Sequence, residues 1–192
     1  SGMRIGNIIK IPGRNILGLG GELGWSDKSI KGKLFPTQGS IIDGCSPLPD
    51  GYRDKIALLW RGGCSFEVKI KNISDAGGLA GIIIDGNSNL TDFTLSHLSN
   101  ERYNIPLVMI KNEELQSIID ATRKRGEFEV EIGESAFYKN EFNKLSTFSG
   151  FNNYGIIKPD LVGIGGGVIS EGFDCLKCGN FSDGTSESAS VI

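Results

Sequence analysis

The chain has 192 residues, with 20 Lys and Arg against 23 Asp and Glu, for a net charge of -3; that length suits one large domain, or one domain and part of another. A hydrophobic content of 39% with 22% charged residues calls for a packed core rather than disorder. The mixed charges form no basic patch for nucleic acid. The longest apolar runs, Ile56-Ala57-Leu58-Leu59-Trp60 and Ile82-Ile83-Ile84, are far too short to cross a membrane.

Ser1-Gly2 before Met3 reads as a cloning remnant. Ile8, Ile9 and Ile11 suggest a short strand, and Trp25 and Phe35 are expected to pack against the domain that follows. The run Gly18–Gly24 lacks the strand, glycine spacing and helix of a nucleotide loop, as does Gly163–Gly167. Lys55–Trp60 has the composition of a buried strand, broken by Arg61-Gly62-Gly63. Ser65 then caps a helix whose apolar face is Phe66, Ile70 and Ile73, with Lys69, Lys71 and Asp75 mostly off it. Gly77-Gly78 ends that helix, and Leu79–Ile84 is a second buried strand closed by Asp85-Gly86. Together these make a strand-helix-strand unit of about thirty residues. Arg61 alone reads as a plain charged turn residue.

Residues 87–104 are polar and loop-like, with the single histidine, His97, inside them. Ile105–Ile110 gives a third strand, its Pro106 marking a strand start or edge. Asn112 can cap a helix with Leu115, Ile118 and Ile119 on its apolar side and Gly126 at its end. Phe128, Val130 and Ile132 then alternate with Glu127, Glu129 and Glu131, as in a strand with one wet face.

Cys45-Ser46-Pro47-Leu48-Pro49, the strand from Lys55 leading into Arg61-Gly62-Gly63-Cys64-Ser65-Phe66, then Lys69, Asp75-Ala76-Gly77-Gly78 and Ile82–Ile84 together resemble a protease-associated (PA) domain. The resemblance covers roughly residues 40–132. It implies an α/β fold, a mixed sheet or open barrel with flanking helices, acting as a lid or docking module rather than a catalyst. Some relatives use this region to form dimers. Cys45 and Cys64 flank the first central strand and are candidates for a structural disulfide, with two free buried thiols as the alternative; a bond needs Cα atoms within about 7 Å.

Leu145–Ser149, Lys158-Pro159-Asp160-Leu161-Val162, Gly165–Ser170 and Phe181-Ser182-Asp183-Gly184-Thr185-Ser186 resemble, in that order, the C-terminal catalytic segment of subtilisin-like serine proteases. That resemblance divides the chain into an N-terminal segment (1–39), a PA domain (40–135) and a partial catalytic segment (136–192) ending inside the serine helix. It implies that Ser186 is the nucleophile position of a parent endopeptidase, the alternative being a non-catalytic PA binding module of a receptor or a pseudoprotease. A helix start would supply free N–H groups and the positive dipole end there. Glu187, Ile164 and Ser190-Val191 depart from the residues usual in that family. His97 has no His-Gly-Thr context, and no Asp-Ser-Gly or Asp-Thr-Gly stretch supplies an orienting acid, so the chain alone is expected to lack peptidase activity.

Cys175-Leu176-Lys177-Cys178 is expected in a loop, as a local disulfide or a free pair. It lacks the second ligand pair of a zinc site, and no metal or cofactor is expected anywhere. The sequons at Asn72, Asn89 and Asn180 are glycosylation candidates. With the cysteines they point to a secreted or lumenal setting. The partners expected are a peptide or protein substrate and the rest of the catalytic domain, with neither nucleic acid nor membrane.

Overall fold

The computed structural model describes residues 3–21, 23–36, 41–86, 103, 105–125, 128–139, 168–172 and 175–182. β1 (Met3–Ile11) and β2 (Arg14–Leu19) form an antiparallel hairpin across the two-residue turn Pro12-Gly13. β3 (Ile30–Phe35), β4 (Lys55–Trp60), β5 (Ala80–Asp85) and β6 (Leu107–Lys111) run parallel. Helix α1 (Phe66–Asp75) crosses from β4 to β5, and α2 (Asn112–Arg125) leads from β6 to β7 (Glu129–Ile132) and β8 (Ala136–Lys139). Eight strands share one mixed sheet in the order β2-β6-β5-β4-β3-β7-β1-β8. Because β2 also pairs with β1, seven of them close into a barrel.

The period-two pattern of β4 to β6 explains why these strands read as continuous apolar runs. Ile56, Leu58, Ala80, Ile82, Ile84, Val108 and Ile110 all enter one core cluster with Ile9, Ile16, Val130 and Ile132 from across the barrel. The intervening Ala57, Leu59, Ile83, Leu107 and Met109 enter a second cluster with Ile70 and Ile73 of α1. Strands covered on both faces have no wet positions to alternate with. Leu115 and Ile118 carry α2 into the first cluster. Arg14, in the β1–β2 hairpin, donates to Ser117 Oγ at 2.6 Å and pairs with Glu114 at 2.7 Å.

The ends of α1 follow the sequence closely. Ser65 Oγ accepts from Val68 N. At the other end Gly77, at φ +73°, donates to Ser74 O and Gly78 donates to Ile73 O, the bond pair of a Schellman cap. β7 and β8 both lie along β1, with Ile132 opposite Ile9 and Ala136 opposite Gly6. Four steps on one strand therefore face three on the other, a bulge pinned by buried Asn7, whose Nδ2 donates to Gly133 O (2.8 Å) and Ser135 Oγ (3.1 Å). Trp25 packs on Phe137, ring centroids 5.5 Å apart, and Phe35 on buried Tyr52 at 4.8 Å.

β9 (Val168–Gly172) and β10 (Cys175–Ser182) form a separate two-stranded antiparallel sheet. The expected loop at Cys175–Cys178 is thus corrected to strand. The flanking glycines at 172 and 179 favour a loop, but the register shift between Cys175 and Gly179 accommodates the intervening residues as a bulge.

Two glycines separate backbone strain from crowding. Gly13 (φ +85°) faces open space, whereas a Cβ on Gly24 (φ +78°) would stand 2.4 Å from Leu107 N. Gly13→Ala should cost about 1–2 kcal/mol for its left-handed backbone, and Gly24→Ala distinctly more. Urea denaturation midpoints of the two variants check the order; equal losses would contradict it.

Candidate functional site

β4 and β5 pair in register with Trp60 opposite Ile84, so the next residue on each strand, Arg61 and Asp85, emerges side by side at the carboxyl edge of the parallel strands. Arg61 Nη1 meets Asp85 Oδ2 at 3.0 Å, with the side chains 20% and 5% exposed, and Arg61 N donates to Ile84 O at 2.9 Å. Arg61 is therefore not the plain turn residue expected. The separation of 24 residues hides its partner from any local reading of the sequence.

Beyond Arg61 the chain turns back through Gly62 and Gly63, at φ +97° and +80°. A Cβ on Gly63 would stand 2.7 Å from Asp43 Oδ2 and 2.8 Å from Cys45 Sγ, so glycine lets the two loops close on each other. The Cys45–Cys64 disulfide joins them, with Cα atoms 5.7 Å apart. The two flanking cysteines are bonded to each other rather than free.

Lys69 completes the clamp. Expected mostly off the apolar face of α1, Lys69 is instead fully buried. Its Nζ donates to Asp43 O and to Gly62 O (2.7 Å), and lies 3.5 Å from Cys45 Sγ. Position 69 is three residues after Phe66 and four before Ile73, which is on that face; its charge obscured its spacing. Burial lowers its pKa below the ordinary 10.5, and the Asp43 carboxylate opposes that shift. Asn72 holds the same loop from the next turn, its Nδ2 donating to Gly44 O (2.9 Å) and Ser46 O (3.1 Å). This is the nitrogen that a glycan on Asn72 would occupy.

The clamp ties the Asp43–Ser46 loop to the Gly62-Gly63 turn and to helix α1. Among the described residues no group of three or more His, Cys, Asp or Glu is placed to hold a metal. A shallow cleft beside α1, lined by Leu48, Arg53, Asn72 and Asp75 among others, encloses about 190 Å³, below the roughly 300 Å³ at which small-molecule pockets begin. No described helix is long and apolar enough to cross a membrane. Of the remaining sequence candidates, Cys175, Cys178 and Asn180 fall on β10, where only the backbone is described. Ser186, Asn89 and His97 lie outside the described residues.

Fold and clamp together define a mixed α/β barrel domain whose carboxyl-edge loops are stapled in place. Residues 31–118 match the PA domain family, and the chain carries a PA domain there. It is 34% identical over 111 residues to human ER degradation-enhancing alpha-mannosidase-like protein 3, covering 53% of this chain and 12% of that protein. It is 36% identical over 105 residues to rat E3 ubiquitin-protein ligase RNF133, covering 50% and 26%. Among solved structures, the zinc aminopeptidase BSAP from Bacillus subtilis aligns with a TM-score of 0.50 at 23% identity, over 73% of this chain and 32% of that one; this likeness is one of fold. The subtilisin-like context finds no match among these relatives.

Lys69→Met removes the donor to two loop carbonyls, and should cost about 1–3 kcal/mol in chemical denaturation. Between the lowered folded pKa of Lys69 and 10.5, the unfolded chain binds more protons, so this group makes stability rise with pH in that window. The wild-type stability profile at alkaline pH should therefore rise relative to that of Lys69→Met. Parallel profiles would show that the ammonium is not desolvated.

Proposed function

We propose that the PA region is a non-catalytic docking module for a protein or peptide partner, working in a secreted or lumenal setting. The observation that carries this reading is the clamp: a disulfide, a buried ammonium and a side-chain amide fix one loop cluster. A surface ordered in advance loses less entropy on binding. The relatives point the same way. One is named as mannosidase-like and another as a ubiquitin ligase, while the aligned stretch is 12% or 26% of their length. A segment common to proteins of such different names is better suited to recognition than to either chemistry. Cross-linking of the full chain to secretory-pathway proteins, compared with the Cys45→Ser/Cys64→Ser variant, tests the module. A defined partner should be captured by the wild type and lost from the loosened variant while the barrel stays folded; capture indifferent to the staple would refute the docking role of this face.

A second reading makes the parent protein a subtilisin-like endopeptidase, with Ser186 as nucleophile and the PA region controlling substrate access or dimer formation. It is supported by the ordered motifs between Leu145 and Ser186, and by a strand at Val168–Gly172, where that resemblance calls for one. Removing the base or the orienting acid from such a triad costs orders of magnitude in turnover, so this chain by itself should remain unlabelled by a fluorophosphonate probe. The longer parent should be labelled, and should lose the label in Ser186→Ala. An unlabelled, folded parent would leave the docking module alone.

A further inference from the structure

We propose that the Cys45–Cys64 bond is a thiol-exchange site, at which an incoming thiolate attacks Cys64 Sγ and Cys45 leaves as a thiolate held by the Lys69 ammonium. A lysine ammonium has three N–H groups. Asp43 O and Gly62 O accept from Lys69, and Cys45 Sγ lies 3.5 Å away in the remaining contact. A disulfide sulfur is a weak acceptor, whereas a thiolate is a strong, charged one. The contact therefore gains strength as negative charge develops on Cys45, and the protein supplies the donor without moving it.

Access does not separate the two sulfurs, since Cys45 and Cys64 are both half-buried; the polarity rests on Lys69, which is buried and lies on the Cys45 sulfur. Three groups oppose the assignment. Cys64 immediately precedes the N-cap of α1, whose dipole would favour a thiolate there; the Asp43 carboxylate accepts from Cys45 N at 3.0 Å and disfavours one on Cys45; and Gly62 O lies 3.6 Å from Cys45 Sγ, though that oxygen already accepts from Lys69. The helix end carries about half a charge and faces water, whereas the ammonium is a full charge in a buried contact, so the ammonium prevails. In the exchange, the attacking sulfur forms a bond to Cys64 Sγ as the Cys64–Cys45 bond breaks, and its electron pair departs on Cys45. One thiolate is consumed and one released, with no net change in oxidation. The product is a mixed disulfide on Cys64, and attack by Cys45 reverses it. The class of reactant is a small or protein thiol of an oxidising compartment.

The test treats the oxidised full chain with reduced glutathione, quenches it in acid, alkylates free thiols and maps the adducts by mass spectrometry. Glutathione should be found on Cys64, with Cys45 alkylated. Lys69→Met should slow adduct formation at least about threefold and weaken the site preference, because a poorer leaving thiolate departs more slowly. Should Lys69→Met fail to fold, Asp43→Asn decides: it keeps the main-chain carbonyl that Lys69 uses and an acceptor for Cys45 N, removes the opposing charge, and should speed exchange. Adducts mainly on Cys45, adducts divided evenly, no adduct, or an unchanged rate in Asp43→Asn would each overturn the proposal.

Discussion

Strands β4, β5 and β6 have no solvent-facing side, and the rest of the domain is arranged around that constraint. Their odd and even residues feed two different clusters, so each face needs a cover of its own. Helix α1 covers one, with Ile70 and Ile73 set against Ile83 and Leu107. Gly81 permits the close approach, since a Cβ there would meet Ile73 Cδ1 and Leu107 Cδ1 at 2.6 Å. The other face is covered by closing the sheet on itself, which brings Ile9 and Ile16 from the N-terminal hairpin, and Val130 and Ile132 from β7, across the interior. Burying a side chain of this kind is worth about 1.5–3 kcal/mol, and neither cover alone would bury both alternating sets.

Lys69 is where this apolar scheme meets the loops. Its stem occupies a position on the buried face of α1, and its ammonium reaches main-chain carbonyls of two loops that have no regular partner. Both carbonyls belong to exposed residues, so the buried partner that the contacts satisfy is the ammonium itself, which would be costly to leave without acceptors. A lysine suits the place because it spans from the helix to the loops and brings several donors on one atom. The disulfide joins the same two loops covalently, so bond and ammonium act on one small region. Their proximity is what gives the cysteine pair two unlike sulfurs.

Sequence patterns exposed the elements whose causes are local. The β4-α1-β5 unit, the Ser65 cap, the Gly77-Gly78 stop, the apolar side of α2 and the alternation at Val130 and Ile132 all depend on neighbours within a few residues. Interactions spanning longer distances were not legible. Arg61 finds Asp85 24 residues away, and Lys69 finds the carbonyl of Asp43 26 residues back. β2 and β3 are hard to read because Arg14, Asn15 and Gly18 in the one and Lys31, Gly32 and Lys33 in the other dilute the apolar signal. In β3, Lys31 and Lys33 stand opposite Glu131 and Glu129, a pairing that only the folded sheet brings together.

The extent of the folded unit follows from the same logic. The family match begins at residue 31, but β1 and β2 lie before it and form the closing segment between β7 and β6. A domain begun at residue 31 would lack β1 and β2 and leave β6 and β7 with open edges. It would also remove Ile5, Ile9, Ile11 and Ile16 from the core. Open edges beside apolar residues invite pairing between chains. The physical domain is therefore the closed barrel from Met3 onward. The stapled loops can stay ordered at its carboxyl edge because the strands that bear them are held on both sides.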